Sequence, residues 1–209
     1  MTRSAGAARA GGPDREAAGV QRPQRADARR NRDALLAAAV EAYGERGVDA
    51  SLEDIARRAG VGIGTLYRHF PNRDAVTEAV YRREVENLSD SADQLLAEHD
   101  PEQALMLWMR QFAAYVGRKR GMAMALRATL GSDNELFAYT HDRITQAITK
   151  LVDAAAADGT IRGDVDPSDL LRAMSGICMA ADTPGWSDRT GRLINLLIDG
   201  MRYGAPGSS

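Results

Sequence analysis

The chain is poor in aromatic residues and almost free of cysteine, and each shortage excludes a class of protein. Phe, Trp and Tyr make up 5% of its 209 residues, so the apolar content comes mainly from aliphatic side chains and eight methionines. That composition favours helices over β-sandwiches. The single cysteine, Cys178, forms neither an intramolecular disulfide nor a cysteine-based zinc site. With only three scattered histidines, we expect no metal site and no cofactor.

Long apolar runs are also absent. No run approaches the roughly 20 residues that span a bilayer, and no apolar stretch follows the N-terminal arginines as it would in a secretory signal. Hydrophobic residues make up 44% and charged residues 27%, a normal mixture for a folded globular chain. We therefore expect a folded cytoplasmic protein without a membrane partner.

The net charge of −2 conceals an uneven distribution. Residues 1–75 carry a net charge of +3 and residues 76–209 a net charge of −5, which suggests that the N-terminal part meets a polyanion. Residues 1–28 are rich in Ala, Gly, Arg and Pro without apolar periodicity, which predicts a disordered basic arm. This arm is either a solvated tail or an extension that contacts nucleic-acid phosphates or a minor groove.

Apolar residues recur at helical spacing from about residue 29 onward, and no segment has the alternation of a strand. We expect helices to end at Gly47 and Gly60, and one long helix to be interrupted at Gly121. Asn72 and Asp166 are candidate N-caps of later helices. The sequence therefore predicts an all-α fold of about nine helices.

Residues 52–70 have the spacing of a helix-turn-helix motif. Ala56 is small where the two helices cross, Gly60 permits the positive φ of the turn, and Leu66 packs the second helix onto the first. Ser51 is a candidate N-cap of the first helix. A motif of this kind places its second helix in the DNA major groove.

The stretch from Leu35 to Val80 resembles the DNA-binding domain of the TetR/AcrR family of transcriptional regulators, and it covers about 50 of the 209 residues. The chain departs from the family at Gly62, where Ser or Thr is frequent, and at Tyr43, where Phe is more usual. The resemblance implies a helix-turn-helix DNA-binding domain at residues 29–75 and an effector-binding and dimerisation domain at residues 76–209. The matching landmarks are Ala38-Ala39, Gly47, Ser51–Ile55, Ala56, Ala59-Gly60-Val61 and Gly64–Phe70.

Candidate DNA contacts lie on and around the second helix of the motif. By the resemblance, Tyr67 and His69 contact backbone phosphates, although His69 is alternatively a residue that caps the helix end. Arg68 either reads guanine, neutralises a phosphate or is a solvated surface charge. The expected DNA-binding residues are Arg29, Arg30, Ser51, Gly62, Ile63, Thr65, Tyr67, Arg68, His69 and Arg73.

Methionines and aromatic residues are common in the C-terminal part, where the resemblance implies an effector pocket. They are either plain core or an adaptable wall for a small, largely apolar effector, with His141 as a conceivable polar anchor. The candidate ligand-binding residues are Trp108, Met109, Phe112, Met122, Met124, Phe137, His141, Met174 and Cys178. The last two predicted helices are apolar on more than one side, which predicts a homodimer interface. Its candidate residues are Leu170, Leu193, Ile194, Leu197, Ile198 and Met201.

These patterns predict a ligand-responsive DNA-binding regulator, most simply a repressor that a small effector releases from a near-palindromic operator. A transcriptional activator and a non-DNA ligand- or partner-binding module of the same fold are the alternatives. Catalysis is not expected, because the glycines at residues 60–64 follow a helix rather than the strand of a dinucleotide-binding fold. Cys178 lies in an apolar helix with no obvious base to activate it.

Overall fold

Local sequence signals set several helix boundaries of the protein. In the computed structural model, Ser51 and Asn72 each accept a hydrogen bond from the backbone N–H three residues later, at 3.3 and 2.8 Å. Asp166 accepts hydrogen bonds from the N–H groups two and three residues later, at 2.7 and 3.1 Å. Gly47 and Gly60 both have φ of 70°, a left-handed conformation that glycine adopts without steric cost. The predicted caps and turns at these five positions are confirmed.

The structure describes residues 17–131, 134–179 and 186–204, which contain eight α-helices and no strand. The all-α prediction is confirmed. The helices are α1 (Ala17–Arg46), α2 (Leu52–Arg58), α3 (Ile63–His69), α4 (Arg73–Glu98), α5 (Pro101–Leu130), α6 (Glu135–Ala157), α7 (Pro167–Met179) and α8 (Trp186–Arg202), with a 3-10 turn at Gly47–Asp49. None of the helices in these ranges is long and apolar enough to cross a membrane.

Two predicted boundaries differ from the structure. Helix α5 continues through Gly121, so the described helices number one fewer than the predicted nine. A glycine inside a helix costs only about 1 kcal/mol, and the buried Met122 and Leu126 hold this segment of α5 against its neighbours. Residues 17–28, predicted as part of a disordered arm, lie in helix α1, and residues 1–16 of the predicted arm lie outside the described residues.

Helix α4 connects the two halves of the molecule. Its first turns bury Val76 and Val80 in the core of the N-terminal half, and its last turns bury Leu95 in the C-terminal half. Along its length α4 packs against α1, α5 and α6, while α7 and α8 pack against α5. Helix α4 thus runs without interruption from the helix-turn-helix motif into the bundle of α5–α8.

Candidate nucleic-acid interface and surface cavity

Helix α3 is held by one face only. Leu66, on the inner face of α3, is completely buried. Ala56 on α2 is 2% exposed at the place where α2 and α3 cross. The Val61 N–H donates to the Ala56 carbonyl at 3.0 Å and closes the turn. Phe70 is buried at the end of α3, with the Arg32 guanidinium 5.3 Å from its ring centre. Because these contacts occupy the inner face of α3, its opposite face is free to meet a partner.

The outer face of α3 carries the predicted DNA contacts. Ile63 is 37% and Tyr67 47% exposed, and Arg68 is also exposed. Arg68 makes no ion pair or hydrogen bond with any residue in the described ranges. Thr65 and His69 are half-buried at the edges of this face. The structure therefore brings these five side chains to one helix, with Tyr67 and Arg68 at its most accessible part.

Gly62 occupies the N-cap position of α3 without a side-chain hydrogen bond, as expected for a residue without a hydroxyl. Ser51 uses its hydroxyl at the start of α2, where it donates to Glu53 Oε2 at 2.7 Å and accepts from the Asp54 N–H. On α1, Arg29 and Arg30 are exposed, and Arg30 pairs with Asp27. Ser51, Arg29 and Arg30 lie on other segments of the chain and are not part of the exposed face of α3.

Arg73 holds the start of α4 against the turn that follows α1. Its Nη1 donates to the carbonyl oxygens of Val48 at 2.8 Å and Ala50 at 2.6 Å. The remaining guanidinium N–H groups are not used in these bonds, and the residue is exposed. Within the molecule, these hydrogen bonds of Arg73 hold the start of α4 against the N-terminal half. A phosphate contact by Arg73 stays a prediction.

Three arginines of the N-terminal half pair with one buried carboxylate, that of Asp54. Asp54 is 8% exposed and pairs with Arg57, with Arg58 at 2.9 Å and with Arg46 at 3.7 Å. Burial alone would raise the pKa of Asp54, but hydrogen bonds from Arg58 and Arg57 lower it overall. These three arginines therefore have a structural role, whereas the charge of Arg68 is available to a partner.

A cavity of about 290 Å³ lies in the C-terminal half among α4, α5, α6 and α7. Tyr81, Phe112, Tyr115, Phe137 and Leu171 form part of its apolar wall. Arg127, Thr140, His141 and Ser175 add polar groups. Three of the predicted ligand-binding residues, Phe112, Phe137 and His141, thus meet at one cavity.

The other predicted ligand-binding residues do not line this cavity. Trp108, Met109, Met122, Met174 and Cys178 are buried in the core, and Met124 is 65% exposed at the surface of α5. Trp108 donates its indole N–H to the Leu88 carbonyl at 2.9 Å and stacks on Phe112 at 5.7 Å. Burial raises the pKa of the Cys178 thiol to about 11. Helical spacing alone does not separate a packed face from a cavity wall. The sequence therefore did not distinguish these core and surface residues from lining residues.

Sequence reasoning missed Tyr81, Tyr115 and Arg127 as lining residues. Tyr81 is the single aromatic residue of α4 and so belongs to no aromatic stripe, and Arg127 carries no apolar signal. Tyr115 shares the apolar stripe of Trp108 and Phe112, which was a usable signal. The Tyr115 hydroxyl is buried without a hydrogen bond of normal geometry, and burial, followed by the neighbouring Tyr81, raises its pKa.

Contacts between α4 and its neighbours surround the cavity. The ring of Tyr81 meets Phe137 edge-on at 6.1 Å between ring centres. The guanidinium of Arg82, the next residue of α4, lies 4.9 Å from the ring centre of Tyr139, whose hydroxyl donates to Glu86 at 3.4 Å. The first turns of α6 therefore contact the cavity with one face and α4 with another.

A buried ion pair also joins α4 to α5 near the cavity. Lys119 Nζ lies 2.9 Å from Glu84 Oε2, and both side chains are mostly buried. Burial lowers the pKa of Lys119. The hydrogen bond with Glu84 opposes this decrease but does not cancel it. This pair fixes the register of the two helices beside Tyr115.

The outer face of α8 differs from the predicted dimer interface. Leu170, Ile194, Ile198 and Met201 are buried inside the protomer, and Leu193 and Leu197 are half-buried. Burial of the α8 stripe against α5 is the physical reason that these residues cannot form most of an intersubunit surface. Among the described side chains of this region, the large apolar ones that are exposed are Met179 on α7, Leu196 on α8 and Tyr203 just after α8, at 75%, 66% and 84% exposure.

Comparisons with known proteins agree with this geometry. Residues 35–80 match the sequence profile described as bacterial regulatory proteins, tetR family, and residues 100–203 match that of the transcriptional regulator SbtR-like C-terminal domain. The crystal structure of the TetR transcriptional regulator SCO0520 from Streptomyces coelicolor is 48% identical with a TM-score of 0.72, covering 82% of this chain and 98% of that one.

Two curated relatives from Mycolicibacterium smegmatis have opposite descriptions. The HTH-type transcriptional repressor KstR2 is 31% identical over 142 residues, which are 65% of this chain and 69% of that protein. The HTH-type transcriptional activator FasR is 38% identical over 86 residues, which are 41% of this chain. The chain spans only 39% of the length of FasR, so that likeness concerns less than half of the relative.

Proposed function

The chain belongs to the TetR family of DNA-binding transcriptional regulators, and on that premise we propose that it is a repressor that a small ligand releases from a near-palindromic operator. The observation that carries the proposal is the outer face of α3. Tyr67 and Arg68 are exposed there, and no described residue pairs with Arg68. In a helix-turn-helix protein this helix lies in the major groove.

The position of the cavity along α4 supports release by a ligand. Tyr81 lines the cavity eight residues after α4 begins at Arg73, which is about 12 Å along the helix. A ligand that displaces Tyr81 therefore tilts helix α4. The first residue of α4, Arg73, donates hydrogen bonds to the carbonyl oxygens of Val48 and Ala50 in the N-terminal half. The free energy for release comes from the difference in ligand affinity between the two positions of α4.

Repression is favoured over activation because the match to the repressor KstR2 extends over 69% of that protein, against 39% for the activator FasR. We expect disruption of the gene to raise expression from its operator-containing promoter severalfold. A reporter fused to the DNA that flanks the gene measures this change, with the intact gene supplied on a plasmid as the control. A fall in expression would identify an activator, and no change together with no binding to the flanking DNA would favour a non-DNA binding module.

We further propose that the protein acts as a homodimer through the exposed faces of α7 and α8. Leu196 lies on α8, Tyr203 directly follows the last residue of α8, and both side chains are exposed. Two subunits joined in this way present two α3 helices for successive major grooves, about 34–36 Å apart. A near-palindromic operator matches this two-fold symmetry.

Leu196→Glu is expected to weaken dimerisation roughly 100-fold, because an unpaired carboxylate is costly in an apolar interface. Light scattering coupled to size exclusion, over a range of protein concentrations, measures the dissociation constant. Ala138→Glu adds the same charge to an exposed position on α6 and should leave the dimer intact. A Leu196→Glu protein that remains as dimeric as the wild type would place the interface elsewhere.

The proposal includes no catalytic step. The relatives are transcriptional regulators rather than enzymes. Cys178 is 2% exposed, and its raised pKa keeps the thiol protonated near neutral pH. A buried neutral thiol of this kind behaves as a small core residue.

A further inference from the structure

The cavity among α4–α7 is lined by basic groups but by no acidic group of the described residues. Arg127 and His141 both contribute to its lining. Neither side chain makes an ion pair or a hydrogen bond with a residue in the described ranges. The Arg127 guanidinium lies instead 5.1 Å from the ring centre of Phe137. Arg127 and His141 are both exposed to solvent, and a guanidinium stacked on an aromatic ring keeps its planar N–H groups available to donate to an anion.

Other arginines of the same helices contrast with Arg127. Arg118 lies 3.9 Å from Glu84, and Arg143 lies 2.6 Å from Asp90. Each of these two arginines thus has a carboxylate of α4 within ion-pair distance. Among the described residues no carboxylate pairs with Arg127, which is exposed to solvent, so a ligand carboxylate would supply such a partner.

Aromatic rings surround the remainder of the cavity. Tyr81 meets Phe137 at 6.1 Å and Tyr115 at 6.5 Å between ring centres, and Phe112 lies 6.4 Å from Tyr115. Edge-to-face and offset contacts of this kind favour another ring among them. The buried hydroxyl of Tyr115, which burial keeps protonated, is a further hydrogen-bond donor in the wall.

The size of the cavity limits the ligand. At about 290 Å³ it lies at the lower end of the roughly 300–1,000 Å³ of ligand pockets in proteins. One ring with a short substituent is compatible with this volume. Size, aromatic walls and basic groups together define one class of molecule.

We propose that the effector is a small aromatic carboxylate, with its carboxylate bound by Arg127 and His141 and its ring held among Tyr81, Phe112 and Phe137. This inference rests on the proposed function, because it assigns the chemical class of the ligand in the cavity of that regulator. The ring would contact Tyr81 on α4 directly, and the carboxylate would join α5 to α6 through Arg127 and His141.

Titration calorimetry with the full-length protein, in the absence of DNA, tests the assignment. The probes are benzoate, phenylacetate and 4-hydroxybenzoate, each compared with its neutral amide. We expect at least one acid to bind, and to bind at least tenfold more tightly than its amide. Arg127→Met should weaken binding of that acid roughly 10- to 100-fold and leave amide binding unchanged, since a charge-assisted bidentate contact is lost.

Arg172→Met is the matched control. It removes the same charge from α7, where the side chain is 81% exposed and does not line the cavity, and should bind the acid as the wild type does. Failure of every acid to bind, equal affinity for acid and amide, or full affinity in Arg127→Met would each overturn the inference. Operator binding is measured separately by gel shift, so failure of the ligand assignment and failure of the proposed regulator function give different results.

Discussion

Replacing Tyr67 and Arg68 together by alanine should weaken operator binding roughly 1,000-fold or more without unfolding the protein. Both side chains are exposed on the outer face of α3, so their removal should change the free energy of unfolding by no more than about 0.5 kcal/mol. A base contact contributes about 1–3 kcal/mol, and each lost contact counts twice in a dimer. A gel shift at fixed salt, with the DNA flanking the gene, measures the loss.

Arg172→Ala is a suitable control for the change of charge, because Arg172 lies on α7 with its side chain 81% exposed. It should bind the operator with wild-type affinity. If the double variant binds equally well, α3 is not the helix that reads DNA. Arg68→Ala alone separates its two possible roles: loss of a base contact relaxes sequence preference, whereas loss of a phosphate contact lowers the salt dependence by about two ions, one for each subunit.

Trp108→Ala should destabilise the fold by about 3–5 kcal/mol, although Trp108 is a candidate ligand residue by sequence. The side chain is completely buried, and it loses both the bond to the Leu88 carbonyl and the stacking on Phe112. For a domain of this size the loss corresponds to a fall in melting temperature of roughly 6–20 °C. Thermal unfolding followed by circular dichroism measures it.

Met124→Ala provides the comparison, since Met124 is 65% exposed on the same helix. Its unfolding free energy should stay within about 0.5 kcal/mol of the wild type. A Trp108→Ala protein with unchanged melting temperature and lost ligand binding would contradict the assignment of Trp108 to the core. The pair of variants thus separates core from surface among residues that look equivalent in the sequence.

The helix-turn-helix motif was predictable because its signals are local. Ser51 caps α2 through an N–H three residues away, and Gly60 alone permits the left-handed turn. The spacing of Leu66 from Ala56 then determines which face of α3 is buried, and so which residues face outward. Each of these inferences needs only the geometry of a few consecutive residues.

The candidate ligand site was only partly predictable, because its members come from separate helices. Phe112, Phe137 and His141 were expected, but Tyr81 and Arg127 are brought to them by the packing of α4 and α5 against α6. Periodicity identifies residues that share a helix face. It does not identify the helix that this face contacts, or whether a gap remains between them.

Sequence by itself determined the all-helical class, the caps and turns of the N-terminal motif and the outward face of α3. Only the tertiary structure decided which stripe of α8 lies inside: Ile194 and Ile198 pack within the protomer, while Leu196 and Tyr203 remain exposed. Both stripes are apolar at helical spacing, so the sequence pattern is the same for either choice. The choice depends on contacts between residues far apart in the chain, such as those of α8 with α5, which no local pattern encodes.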